Sequence, residues 1–259
     1  MELGLAGRRA VITGGSRGIG LAIARQLATE GCEVALCARD PDGLEAALAQ
    51  VRELGVRAHG ARADVTDGEA LAAFVDGAAA SLGGIDFVVA NCGGSSGGGL
   101  SEATGDDWAR TYALNVTHAA LLLRAARPHL RPRSGAAAVL VSSISGWKPA
   151  PRAQYGSSKA ALIYLAAALA RELAEDQVRV NAVSPGSIWF PGGGWDRFRK
   201  ADPAAYDEFV RRDLPWGRLG SPEEVARVVA LLLSPATSWV NGTNVAVDGG
   251  QGRPSAGGW

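Results

Sequence analysis

Tyr155 and Lys159 stand four residues apart in Tyr155-Gly-Ser-Ser-Lys159, a spacing that puts a phenol and an ammonium on one face of a helix. A phenol titrating near ~10 is a poor proton shuttle at neutral pH. A nearby positive charge favours the phenolate and brings proton transfer into a useful range. Such a pair also recurs by chance on solvated helix faces, so the rest of the chain must decide. Two adjacent hydroxyls, Ser142-Ser143, lie upstream, and a strand-like run, 178–183, lies downstream.

A second chemical signal is Thr13-Gly14-Gly15-Ser16-Arg17-Gly18-Ile19-Gly20. It falls where a β-branched run, 8–13, hands over to helix-spaced apolar residues. Glycines permit a tight turn and close backbone approach to a pyrophosphate, and a helix N-terminus offers unpaired N–H donors to its charge. The spacing is GxxxGxG and no GK[ST] follows, which excludes a P-loop. The next strand ends Cys37-Ala38-Arg39, with no carboxylate before Asp40 to receive an adenosine 2′-hydroxyl. Arg17 and Arg39 suit a 2′-phosphate instead, which predicts NADP(H) as the preferred cofactor, with NAD(H) possible.

The elements that must position these groups follow from periodicity. Strand-like runs at 8–13, 33–38, 57–61, 85–90, 137–141, 178–183 and 244–247 alternate with helical stretches. Those helices are predicted at 18–30, 41–54, 106–130, 153–174, 203–212 and 222–233, with another ending near 82. The alternation predicts α/β architecture: a single doubly wound (Rossmann-like) domain, 1–259, with a parallel sheet of about seven strands and helices on both faces. Within it, 187–217 reads as an irregular, aromatic-rich substrate lid, hinged at Gly192-Gly193-Gly194. The last residues, 252–259, are expected to be loose or tied down by a neighbouring subunit.

Composition removes several function classes. With 26 basic and 26 acidic residues and a formal net charge of +0, nucleic acid and anionic membrane are not expected as partners. Apolar stretches meet Arg, Glu or Asp before they could span a bilayer. The opening Met1-Glu2-Leu3-Gly4-Leu5 has no cationic region followed by a long apolar run, which predicts no secretory signal and a cytoplasmic protein. Cys32, Cys37 and Cys92 are expected to be reduced thiols. No CxxC pair exists, and His59, His118 and His129 show no ligand spacing, so no metal is expected.

Taken in order, the 13–20 loop, Asp64-Val65, Asn91-Cys92-Gly93, Asn115, Ser142-Ser143, Tyr155-xxx-Lys159, Asn181, Pro185-Gly186 and the closing Asn241 to Asp248-Gly-Gly run resemble the short-chain dehydrogenase/reductase family. The likeness covers nearly the whole chain. It implies that Tyr155 exchanges a proton with the substrate oxygen while Lys159 holds the nicotinamide ribose and lowers the Tyr155 pKa. A serine would hydrogen-bond the same oxygen, and Asn115 would position a relay water towards Lys159. Asp64 and Val65 would flank adenine, Asn91 and Gly93 would line the cleft, and Pro185, Gly186 and Ile188 would cover the nicotinamide.

Three positions depart from the family's pattern. Cys92 replaces the usual alanine of Asn-Asn-Ala-Gly. The serine is ambiguous: alignment on Gly146 selects Ser143, whereas the commoner serine-to-tyrosine interval selects Ser142. Ser143 is preferred, since a strand slip would turn side chains to the other face. Phe190 stands about where a threonine often meets the carboxamide, so either that anchoring rests on the Ile188 backbone or the loop runs differently.

The expected activity is hydride transfer between NADP(H) and a carbonyl/alcohol substrate. Trp189, Phe190, Trp195, Phe198, Tyr206, Phe209 and Trp216 point to an apolar or aromatic one. Alternatives are an NAD(H)-dependent alcohol dehydrogenase, a 3-oxoacyl-carrier-protein reductase-like enzyme using Arg197, Arg199 and Lys200, or a non-enzymatic cofactor-binding regulatory protein. The stretches 106–130 and 153–174 are too apolar for surface helices, which suits them to pair with a second subunit, and the family resemblance implies a homotetramer or homodimer.

Overall fold

The structure is a computed structural model that describes residues 2–130 and 134–256. Strands β1 (Arg9–Thr13), β2 (Glu33–Ala38), β3 (Ala58–Arg62), β4 (Phe87–Ala90), β5 (Ala137–Val141), β6 (Arg179–Pro185) and β7 (Asn244–Val247) form one sheet. Its order is β3-β2-β1-β4-β5-β6-β7, with every pairing parallel. The expected doubly wound α/β fold is present.

Strand side chains alternate between two cores, as the period of two requires. Ala10, Ile12, Val34, Leu36, Phe87 and Val89 enter the core beneath α1 (Gly18–Thr29), α2 (Pro41–Arg52) and α9 (Pro222–Leu233). Val11, Ala35, Val88 and Leu140 enter the other, beneath α3 (Gly68–Leu82), α5 (His118–Leu130) and α6 (Ala153–Glu172). Burying each such large aliphatic side chain contributes about 1.5–3 kcal/mol. The helix starts are locally encoded. Asp40 caps α2 with Pro41 in its first turn, and Ser221 and Glu224 form a reciprocal capping box on α9.

The structure refines three sequence expectations. The helix expected at 106–130 is continuous, running as α4 (Gly105–Tyr112), a π-helical turn, Ala113–Thr117, and then α5. Asn115 lies in the widened turn: its Nδ2 donates to the Thr111 carbonyl at 2.7 Å and to the Gly94 carbonyl at 2.6 Å, competing with the backbone ladder. The irregular stretch before 203 contains a further helix, α7 (Gly194–Ala201), ahead of α8 (Pro203–Asp213). Finally, the C-terminal segment is tied to its own chain. Gly252 N–H donates to the Asp213 carbonyl at 2.8 Å and Arg253 N–H to the Asp213 carboxylate at 3.1 Å. Residues 257–259 lie outside the described range. Among the described residues, no helix is long and apolar enough to cross a membrane.

Candidate active site

The strand order reverses between β1 and β4, and a cleft of about 550 Å³ opens there, where sheets of this kind bind ligands. Thr13 closes β1 and ties the turn after it to the end of β4. Its Oγ1 accepts from the N–H groups of Asn91 at 3.0 Å and Cys92 at 3.3 Å. Asn91 Nδ2 donates back to the carbonyls of Thr13 and Gly14, at 3.0 and 3.2 Å. Gly14 and Gly18 adopt φ of 66° and 55°, where side chains are disfavoured. A Cβ on Gly20 would lie 2.2 Å from the Gly14 carbonyl oxygen. Helix α1 then starts without a side-chain cap and without an acidic residue in its first turn, so its first amides are left for an anion.

Gly14, Ser16, Arg17, Gly18, Ile19, Gly20, Arg39, Asp64, Val65, Asn91 and Gly93 all line this cleft, as expected. Cys37, Asp40, Cys92, Leu114 and Phe190 line it too. At the β2 end, the Asp40 carboxylate is engaged in capping α2, accepting the Gly43 N–H at 3.2 Å. Arg39 is 82% exposed and only 3.9 Å from the Asp64 carboxylate. Exposed pairs of this kind stabilise little, which leaves Arg39 free to turn. Hydrogen bonds from Thr66 hold Asp64 below the usual carboxylate range. The three cysteines are free thiols. Burial pushes Cys92 up to about 11 and Cys37 up to about 12, so both stay protonated.

At the other end, α6 carries Tyr155 and Lys159 on one face. The Ser143 hydroxyl approaches the Tyr155 phenol closely enough to favour the phenolate, and it also caps the turn Ile144–Gly146 through Ser145 N–H. Ser142 instead donates to the Lys159 carbonyl at 2.8 Å. The structure therefore brings Ser143, not Ser142, to the phenol. Lys159 is 2% exposed, and its Nζ donates to the Val141 carbonyl at 2.9 Å. It lies 5.8 Å from the Tyr155 ring centroid.

Burial moves both titrations. It pulls Lys159 down to about 8 and raises Tyr155 above its ordinary value, opposed by the Ser143 hydroxyl. The expected lowering of Tyr155 by Lys159 is not what governs the phenol here, because desolvation dominates. A Cβ on Gly93 would sit 2.8 Å from both Lys159 Nζ and Asn115 Oδ1, so both atoms lie close behind Gly93, which lines the cleft. His118, one turn beyond Asn115, is 1% exposed, and neither ring nitrogen has a hydrogen bond of normal geometry. Burial and the Lys159 charge hold it at about 4, only partly offset by the Leu114 carbonyl. Sequence reading passed over His118 except as a non-ligand; its one visible signal was a polar residue in an apolar helix.

Residues 14–251 match the family described as enoyl-(acyl carrier protein) reductase. The chain is 36% identical over 257 residues to isoepoxydon dehydrogenase patN of Penicillium expansum, covering 96% of each. The L-sorbose reductase of Gluconobacter frateurii, solved with NADPH and L-sorbose, superposes with a TM-score of 0.91 at 34% identity, covering 97% of this chain and 98% of that one. An NAD+-bound xylitol dehydrogenase superposes with a TM-score of 0.87 at 33% identity, covering 95% and 100%. The chain belongs to the short-chain dehydrogenase/reductase family. It is an NAD(P)-dependent oxidoreductase, which sets aside the reading as a regulatory protein.

The residues of this short-chain dehydrogenase/reductase fit such a cofactor on structural grounds. The uncapped first turn of α1 and the Cβ-free cradle at Gly14, Gly18 and Gly20 match a pyrophosphate in contact with backbone. Pro185, Gly186 and Ile188 do not line the cleft itself. The Ile188 side chain is buried in the core under α1 and α9, while its backbone bridges to Gly220. That bridge uses the Ser187 carbonyl at 3.0 Å and the Trp189 N–H at 2.9 Å. The N–H and C=O of Ile188 therefore point away from Gly220, as a parallel ladder requires.

The aromatic residues divide in the same region. Phe190 reaches across the cleft, its Cζ 2.9 Å from where a Gly18 Cβ would lie. The others pack largely on one another. Trp195 stacks on Phe209 at 4.7 Å and meets Phe198 edge-on at 5.9 Å. Trp216 is 73% exposed.

Proposed function

We propose that this enzyme reduces a ketone, or oxidises the corresponding alcohol, with NADP(H) preferred, through Ser143, Tyr155, Lys159 and Asn115. The observation that carries the reading is the helix that sets Tyr155 beside the Ser143 hydroxyl and brings Lys159 to Gly93, which lines the cofactor cleft. The cofactor, when bound, supplies or takes up the hydride. Tyr155 gives a proton to the carbonyl oxygen in reduction and takes it back in oxidation. Burial keeps the phenol protonated at neutral pH, the state an acid needs, and this favours reduction. Ser143 holds the same oxygen. Lys159 and Asn115 approach one point closely enough for one water to bridge them, which supports a relay that restores the phenol's proton. Gly14 to Gly20 hold the pyrophosphate, Asp64 and Val65 the adenine, and the Ile188 backbone the carboxamide. Arg17 and Arg39 at the cleft edge support a 2′-phosphate, since Asp40 is spent on capping α2.

Residues 187–217 act as the substrate lid within a single domain. Leu100 and Trp147, exposed on the loops after β4 and β5, support an apolar part in the substrate. A second reading rests on Ser95 Oγ and Trp189 Nε1, buried without a hydrogen-bond partner, on loops beyond the strand ends. They favour a hydroxyl beside the carbonyl, in keeping with the sorbose and xylitol enzymes that the chain resembles. A carrier-protein substrate is less favoured, because Arg197 bonds the Gly192 carbonyl, Lys200 pairs with Asp196 and Arg199 stacks over Tyr206. Ala160, Tyr164, Ala167 and Ala168 leave an apolar strip on α6, which supports pairing with a second copy.

The test is turnover of aromatic ketones and hydroxyketones with NADPH and NADH. NADPH is expected to bind more tightly, and Tyr155→Phe to lower kcat by about 10²–10⁴-fold with cofactor affinity unchanged. A wild type no faster than Tyr155→Phe on every substrate would remove the reading.

A further inference from the structure

The turn after β7 reaches three separate parts of the site. Gln251 is 1% exposed, and its side-chain amide is fully used. Its Oε1 accepts the Ser187 N–H at 2.7 Å, and its Nε2 donates to Ser187 Oγ and the Arg253 carbonyl, both at 2.8 Å. Lys148, five residues after Ser143, donates to the Gln251 carbonyl and to Asp248 Oδ2, the latter at 2.7 Å. The turn is held from beneath by Asp213 at the end of α8. Gly186 has no room for a side chain, since a Cβ there would lie 2.6 Å from Gln251 Oε1 and 2.8 Å from Asp248 Cβ.

These contacts flank the peptide of Ile188. Gly220 fixes one side of it through the Ser187 carbonyl and Trp189 N–H. Gln251 fixes the remaining polar groups of Ser187, its N–H and its hydroxyl. The backbone before Ile188 is thus gripped from both sides, while the Ile188 N–H and C=O stay free to face a ligand. A buried side chain that satisfies two neighbouring polar groups and its own turn is a stiff support, and a ligand bound by backbone gains most from such preorganisation.

We propose that Gln251 is a positioning residue for the nicotinamide half of the cofactor, holding the Ser187–Ile188 backbone in the geometry that receives the carboxamide. This rests on the proposed use of the Ile188 backbone. Gln251 touches no reacting atom; it acts through Ser187. The adenine half is bound some distance away at β1, β2 and α1, and owes nothing to this turn.

The experiment compares calorimetric binding of the whole cofactor and of its nicotinamide-free fragment. NADPH is paired with 2′,5′-ADP, or NADH with 5′-ADP if the wild type prefers NADH. In Gln251→Leu, the intact cofactor is expected to bind about tenfold more weakly, the scale of one or two lost hydrogen bonds, with fragment affinity unchanged. Gln251→Glu keeps the acceptor for the Ser187 N–H and is expected to recover most of the loss. Equal weakening of cofactor and fragment, or no weakening of either, overturns the proposal. A wild type that binds the fragment as tightly as the cofactor overturns the Ile188 reading, and with it this one.

Discussion

The cofactor cleft and the 187–217 segment sit side by side above the sheet but are built from different materials. The cleft is shaped by backbone: glycines at 14, 18 and 20 where side chains would collide, and amides at the uncapped start of α1. The 187–217 segment is shaped by side chains, with Trp195 sandwiched between Phe198 and Phe209 over a small core of Phe209, Leu214 and Leu219. A backbone-built site tolerates few residue types, so it reads clearly from spacing and keeps its ligand. A cluster of rings can be repacked without disturbing the sheet, so it can change substrate while the cofactor stays. The aromatic richness of 189–216 therefore reports mainly the inner packing of this segment. Phe190, which reaches Gly18, and Trp216, which is exposed, are the rings outside that packing.

That contrast can be broken or sharpened by substitution. The largest effect is expected from Phe209→Ala, which empties the small core at a cost of about 3–5 kcal/mol. If the two regions are independent, the 187–217 segment loosens and substrate KM rises at least tenfold, on the order of 1.4 kcal/mol. Cofactor affinity, measured by NADPH fluorescence, holds. A parallel loss of cofactor binding would show the regions to be one unit.

Gly20→Ala tests the other side. Its Cβ would meet the Gly14 carbonyl and Asn91 Nδ2 at 2.2 and 2.5 Å, and backbone cannot step aside cheaply. Cofactor affinity is expected to fall by about 100-fold, roughly 2.7 kcal/mol, with near-native far-ultraviolet dichroism. A variant that binds cofactor normally would show that the turn is less constrained than its packing.

Lys159→Met gives the smallest effect and the opposite sign. Lys159, proposed above to serve the chemistry, is buried like core, and its pKa falls from 10.5 to about 8. An unfolded chain holds that proton more tightly, so the burial penalty is full below pH 8 and fades as pH rises from 8 to 10.5. That shift is worth about 3 kcal/mol; less about 1 kcal/mol for the lost hydrogen bond to Val141, Lys159→Met is expected to be about 2 kcal/mol more stable than wild type at pH 7. The advantage should shrink over that window in denaturant titrations. A variant less stable at pH 7 would refute the burial argument.

The π-helical turn within the predicted helix at 106–130 and the helix within the predicted irregular stretch before 203 went unread for one reason. Helical spacing is a local signal, and it cannot show that Asn115 will find the Gly94 carbonyl or that Trp195 will find Phe209. The 13–20 turn, by contrast, was legible because its backbone angles demand glycine at those places whatever surrounds them. Likewise, four-residue spacing was enough to put Tyr155 and Lys159 on one face, since a helix needs no partner to do that.

Sequence by itself thus determined the alternation of strands and helices, the glycine turn, and the pairing of phenol with amine. All of these follow from constraints within a few residues. Folding alone decided that Ser143 rather than Ser142 approaches Tyr155, that burial raises the phenol's pKa, and that Gln251 closes on Ser187, 64 residues away. Those outcomes depend on burial and on contacts between distant segments, which come into being only when the sheet brings its loops to one edge.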